Sequence, residues 1–179
     1  QTVYGIYANR LYPLTMGDDP IKNYWKLRKE VMLFDVPEKP IEIRGADAIK
    51  LIEKVFTRKA SDLQTWRARY MIACNHQGGI IMDGVLIRLS NHKFWYIHAD
   101  GDFESWLKGQ SSGLDVCIED PKSWVLQIQG PNSLEVLKEI TNSAHIENFK
   151  YFHARRFDFE GQKLLVSRTG WTGEMGFEI

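Results

Sequence analysis

Only two cysteines occur in 179 residues, Cys74 and Cys117, and neither stands in a C-x-x-C pair or at a metal-ligand spacing. That scarcity argues against a disulfide framework and reads as two reduced, buried thiols of a cytoplasmic protein. Charge of one sign is also missing. Lys plus Arg and Asp plus Glu both number 23, so bulk electrostatics points to no nucleic-acid and no membrane partner. No apolar run is long enough to span a bilayer, and no signal-like segment opens the sequence. The histidines His76, His92, His98, His145 and His153 show no ligand spacing, so no metal is expected. No Ser or Cys sits in a nucleophile elbow, and Gly78-Gly79 is not a phosphate loop. Acids and glycine-rich turns remain, a profile that suits an enzyme whose cofactor does the difficult chemistry.

The richest segment is the last. In residues 167–179, Gly170, Gly173 and Gly176 recur every third position between a strand-like run and the carboxylate of Glu178. Such spacing lets backbone approach a ligand closely and then presents an acid from a short strand. Glu178 lies between Phe177 and Ile179, so it faces the other side of that strand. There it either accepts two parallel N–H bonds from a planar, guanidine-like edge or is simply an exposed strand acid. Glu174 reads as a solvated turn residue, and Lys163 and Arg168 as flanking charges.

An internal repeat organises the chain. Residues 41–52 match 126–137: each alternates apolar and polar positions, breaks at a glycine (Gly45, Gly130) and then takes up helical spacing. The unit is strand, glycine turn, helix, and two copies imply related α+β halves with antiparallel sheets and packed helices. Around them the pattern predicts an extended arm over residues 1–20 with turns at Tyr12-Pro13 and at 17–20. A helix opens at Asp19-Pro20, with an apolar face of Tyr24, Leu27 and Val31 joined by Trp25 and Arg28. Pro37 and Pro40 bracket a connection into strand 41–43. Strands follow at 68–74, 80–89, 94–98 and 114–118, with a short helix at 102–108 and a hairpin of 151–159 with 163–168. The expected divisions are 1–45 (arm, helix and first strand), 46–122 (an inserted unit carrying Asp83) and 123–179 (second repeat, hairpin and terminal motif).

Asp83 interrupts the apolar run 80–87. It sits either at a strand irregularity permitted by Gly84, facing a cavity, or in a bulge bonded to backbone amides.

Taken together, 78–83 (Gly-Gly-Ile-Ile-Met-Asp), 129–133 (Gln-Gly-Pro-Asn-Ser), 168–178 (Arg-Thr-Gly-Trp-Thr-Gly-Glu-Met-Gly-Phe-Glu) and Phe34-Asp35-Val36 resemble the tetrahydrofolate-dependent aminomethyltransferases. These are the glycine cleavage T-proteins and their demethylase relatives. The resemblance covers nearly all of the chain but about the first half of a family member. It implies duplicated ferredoxin-like α+β units, the N-terminal half of a T-protein-like fold, and tetrahydrofolate as cofactor. On this likeness Asp83 would lie beside the reacting one-carbon group and folate nitrogens, Glu178 would hold the pterin's amino-pyrimidine edge, and Trp171 and Trp95 would line the folate cavity. T-proteins continue the Phe-Asp-Val motif with Ser-His-Met-Gly and place Asp before the catalytic acid; this chain has Pro37-Glu38-Lys39-Pro40 and Met82. Residues 83–109 look closer to the dimethylsulfoniopropionate demethylase branch. The implied activity is demethylation of a small methylated donor: a sulfonium, amine or methoxy compound. The alternatives are the aminomethyl reaction, with a lipoyl carrier protein as partner, and a non-catalytic folate binder. The end at residue 179 reads as a truncation through the pocket, so the fragment alone is expected to be inactive.

Overall fold

The structure, a computed structural model, describes residues 1–141 and 146–179; His145 lies outside them. Two compact units divide the chain. A terminal unit comprises Gln1–Gly5, Leu11–Val36 and Val125–Ile179, and a central unit comprises Ile6–Arg10 and Pro37–Trp124. Among the described residues no helix is long and apolar enough to cross a membrane.

The chain starts as a hairpin of β1 (Val3–Tyr7) and β2 (Arg10–Thr15). Its turn is at Ala8-Asn9, with φ of 48° and 60°, and not at Tyr12-Pro13, which lie within β2. Two positive φ values suit the right-handed strand twist, but Ala-Asn is a weak signal for such a turn. Helix α1 (Pro20–Lys29) begins as expected: Asp19 accepts from the amides of Ile21 and Lys22, and Pro20 occupies the first turn. Its expected apolar face does not form. Leu27 alone is buried, while Tyr24 and Trp25 stay 47% and 53% exposed. The cations one turn on, Arg28 and Lys29, lie over those two rings. The Phe34-Asp35-Val36 segment, read only as a motif, forms strand β3 (Met32–Val36).

In the central unit β4 (Lys39–Arg44), α2 (Ala48–Val55), β5 (Ala68–Cys74), β6 (Ile80–Ser90), β7 (Lys93–His98), α3 (Phe103–Gln110) and β8 (Cys117–Glu119) follow in turn. The antiparallel sheet has the order β5-β6-β7-β4-β8. Leaving out edge strand β5, this is the split βαβ, ferredoxin-like arrangement. Pro40 lies inside β4, not in a connection. It is tolerated because β8 pairs only with Glu42–Arg44, so β4 is an edge at Pro40 and no donor is lost on that side. Ile41, Ile43, Met71, Leu86, Phe94 and Tyr96 face the helices and meet Leu51, Ile52, Phe103 and Leu107 in one core. Cys74 and Cys117 are free but only partly buried: one follows a bulge at the end of β5, the other opens edge strand β8.

The terminal unit continues with β9 (Val125–Gln129), α4 (Ser133–Thr141), a 3-10 turn (Ile146–Asn148), β10 (Ala154–Phe159), β11 (Gln162–Ser167) and β12 (Gly176–Glu178). Its antiparallel order, β10-β11-β12-β9-β3, repeats the central one, with β3 in the place of β8. The duplication extends to single hydrogen bonds. The Gly45 amide donates to His92 O and the Gly130 amide to Met175 O, each acceptor just before the paired strand. Asp47 N donates to Asp115 O, as Asn132 N does to Glu30 O, and Ala48 N and Ser133 N close onto the two glycine carbonyls. The expected strand–glycine–helix repeat is therefore real, and the α+β class with antiparallel sheets and packed helices holds.

His98, at the end of β7, is buried against Tyr96 and Phe103. Its Nδ1 is 2.6 Å from Ala99 O, an acceptor, so Nδ1 carries the proton, and Nε2 has no hydrogen-bond partner. Burial lowers its pKa from 6.5 to about 4. The unfolded chain therefore binds the extra proton first as pH falls. Stability from neutral His98 is complete above pH 6.5 and drains away toward pH 4, by roughly 3 kcal/mol at most. Urea unfolding at steps between pH 7 and pH 4 should show this slope, and His98→Phe should flatten it.

Candidate functional site

Glu178 lies on β12 opposite Gln127 of β9 and Ser167 of β11. Alternation sends Phe177 into the core beneath α4 and turns Glu178, Gln127, Gln129 and Ser167 to the other face. Glu178 is buried, so it is not an exposed strand acid. Gln127 Nε2 donates to its Oε1 at 2.6 Å, and the Thr169 hydroxyl donates to its Oε2. A buried carboxylate needs such donors, and these two fix its plane.

The glycine spacing has a different purpose from the one read in the sequence. A Cβ on Gly170 or on Gly176 would come within 2.3 Å of the Gln129 side-chain amide, while one on Gly173 meets nothing. Two of the three glycines therefore admit a buried glutamine, and the third makes a turn. Gln129 Nε2 donates to Thr169 O at 3.2 Å, and its Oε1 accepts from the Thr172 hydroxyl at 2.8 Å. Glu174 is not a solvated turn acid, since it pairs with Arg28 at 2.7 Å. Trp171, in the same loop, is 52% exposed. Arg168 is tied to the carbonyl of Phe149.

Asp83 and Trp95 belong to the central unit. Asp83 sits in register opposite Ile72; the bulge falls one step away, at Ala73/Cys74. No backbone amide holds it. The Tyr70 hydroxyl donates to Oδ2 at 2.7 Å, and that bond, with burial, pushes the Tyr70 phenol up. Burial likewise raises Tyr7, with the charges of Glu38, Asp100 and Asp83 adding to it. Glu38 is itself raised by burial. Tyr70 and Tyr7 were not singled out from the sequence. Tyr70, two positions from Ile72, shares the Asp83 face by strand alternation, which was the available signal. Gly84 contributes by closeness: a Cβ there would lie 2.2 Å from Ile97 O.

Trp95 shares the Asp83 face but is opposite Ile87, two side-chain steps along β6. Its Nε1 donates to Glu42 Oε2 at 2.8 Å. Burial alone would raise Glu42, but Lys93 and Trp95, with Arg44, hold it below the usual carboxylate range. The repeat aligns Glu42 with Gln127, Arg44 with Gln129, Lys93 with Gly176 and Trp95 with Glu178. Two residues singled out independently thus occupy one position of the duplication. Among the described residues no group of three or more His, Cys, Asp or Glu could hold a metal ion.

These features define a duplicated α+β protein with a carboxylate site on the helix-free sheet face of each copy. Its sequence matches the GCVT N-terminal domain over residues 1–179, and the chain belongs to that family. The dimethylsulfoniopropionate demethylase DmdA of Ruegeria pomeroyi is 30% identical, over 98% of this chain and 49% of that protein. An aminomethyltransferase of Thermotoga maritima is 32% identical, over 86% of this chain and 43% of its own length. The crystal structure of glycine cleavage system aminomethyltransferase T from Bartonella henselae matches with a TM-score of 0.85 at 26% identity, covering 99% of this chain and 49% of that one. The chain spans about half the length of these relatives. The family read from the terminal motif is borne out.

If Gly176 is there for Gln129, Gly176→Ala should cost about 1–3 kcal/mol of stability by overpacking. In urea unfolding, combining it with Gln129→Ala should cost less than the sum of the single changes, because the obstructing amide is gone. Strict additivity would place the clash elsewhere.

Proposed function

We propose that the protein is a tetrahydrofolate-dependent one-carbon transferase, and within that class a demethylase of a small methylated donor: a sulfonium, amine or methoxy compound. The observation that carries this reading is that both acids of the family motifs are present and each is oriented by a neighbouring donor. Tyr70 holds Asp83, and Gln127 and Thr169 hold Glu178. Likeness to a demethylase along almost the whole chain supports the finer step.

The residues fit the cofactor. A buried carboxylate fixed by neutral donors suits a planar edge rich in N–H groups and repels phosphate or any other anion. Glu178 would hold the amino-pyrimidine edge, and Trp171 would offer an aromatic face. Trp95 would offer only its ring face, because its N–H is engaged by Glu42. Tetrahydrofolate, when bound, supplies the nitrogen that accepts the one-carbon unit. Asp83 would place negative charge beside a cationic donor, a contribution of electrostatics and positioning. Tyr70 would keep one Asp83 oxygen in place.

A second reading, aminomethyl transfer from a lipoyl carrier protein, is favoured by the aminomethyltransferase relative and structure. The sequence departures at 37–40 and Met82 weigh against it. Met82 is buried in the helix-side core, where an acid would need a partner. The full-length protein should be incubated with tetrahydrofolate and either dimethylsulfoniopropionate, methylated amines, methoxy-aromatics or aminomethyl-lipoyl protein. Methyl-tetrahydrofolate from a methylated donor is the expected product. Methylene-tetrahydrofolate from the lipoyl substrate alone would favour the second reading, and folate binding without turnover a non-catalytic binder.

Asp83→Asn should lower kcat by about a hundredfold or more with little change in folate affinity. Wild-type turnover would remove Asp83 from the mechanism. Glu178→Ala should instead weaken tetrahydrofolate binding about tenfold to a hundredfold in calorimetry, and unchanged affinity would reject the pterin contact.

A further inference from the structure

We propose that Gln129 is a positioning residue for the Glu178 carboxylate, acting through Thr169; its link to a pterin ligand rests on the folate reading above. Gln129 is fully buried, and both ends of its amide are used. Thr169 O can only accept, so the amide nitrogen must face it and the amide oxygen must face Thr172. The two faces of the amide are closed by Gly170 and Gly176. The side chain therefore has one orientation, and it pins the backbone of Thr169.

From Thr169 the order continues to the acid. A hydroxyl has one proton, and Thr169 gives its own to Glu178 Oε2. Ser167 Oγ, 2.6 Å from Thr169 Oγ1, must then be the donor in that pair. The chain of bonds runs Ser167 to Thr169 to Glu178, with Gln127 donating to the other carboxylate oxygen. The duplication supplies the control. At the positions of Gln129, Gly176 and Ser167 the other copy has Arg44, Lys93 and Ile87, none of which could build this relay. A carboxylate whose plane is fixed discriminates by direction: it favours two parallel N–H groups in one plane, as on a 2-aminopyrimidine edge, over a round ammonium ion.

The test uses the full chain as Gln129→Met, Thr169→Val and Thr169→Ser. Three quantities are read: the side-chain amide NMR signals of Gln127 without ligand, the tetrahydrofolate Kd by calorimetry, and Tm. Gln129→Met and Thr169→Val should shift the Gln127 signals and weaken tetrahydrofolate about tenfold or more. Thr169→Ser, which keeps the hydroxyl, should restore both. Gln127 signals left in place while only Tm falls would make Gln129 a packing residue and overturn the proposal. Should Gln129→Met fail to fold, the Thr169→Val and Thr169→Ser pair decides by the same signals. If those signals shift as expected but wild-type protein binds no tetrahydrofolate, the positioning role stands and the folate reading falls.

Discussion

Everything in this fold is arranged around contacts that only a missing side chain allows. At Gly45 and Gly130 the backbone adopts φ of 140° and 126°. A Cβ would meet the carbonyl of Asp115 at 2.2 Å or of Glu30 at 2.5 Å. The second neighbour is main chain and cannot rotate away, so another residue at either position must move a strand. The same approach brings the first strand of each copy onto its flanking strand and starts the following helix. One backbone constraint, used twice, sets register, helix origin and the helix-free sheet face on which the acids stand.

Much of this was legible in the sequence. The period switch at 41–52 and 126–137 revealed the duplicated unit, because alternation, glycine and helical spacing are all local signals. Strands 68–74 and 94–98 were found with their bounds intact for the same reason. What failed depends on non-local partners. Pro40 looks like a breaker until β8 proves too short to need its N–H. Tyr24 and Trp25 look like core until Arg28 and Lys29 cover their rings. The terminal acid and its glycines were both recognised, but a glycine cannot announce whether its neighbour is a ligand or a glutamine forty residues earlier.

The duplicated copies treat the same position in opposite ways, and this indicates which is used for recognition. In the central copy the Glu42 carboxylate is met by Lys93, Arg44 and the Trp95 indole. Cations so close cancel its field, and the cluster braces three strands. In the terminal copy Glu178 is met by an amide and a hydroxyl, which satisfy its hydrogen bonds without contributing a positive charge. Neutral donors keep a buried acid tolerable while leaving its negative potential to act on whatever approaches. Burial raises the strength of that potential, and the Gln129 clamp gives it a direction. Divergence after duplication has therefore turned one carboxylate position into structure and kept the other as an oriented acceptor. The glycine spacing is what gives the second its clamp, since lysine at the place of Gly176, as the first copy has, would fill the space that Gln129 occupies.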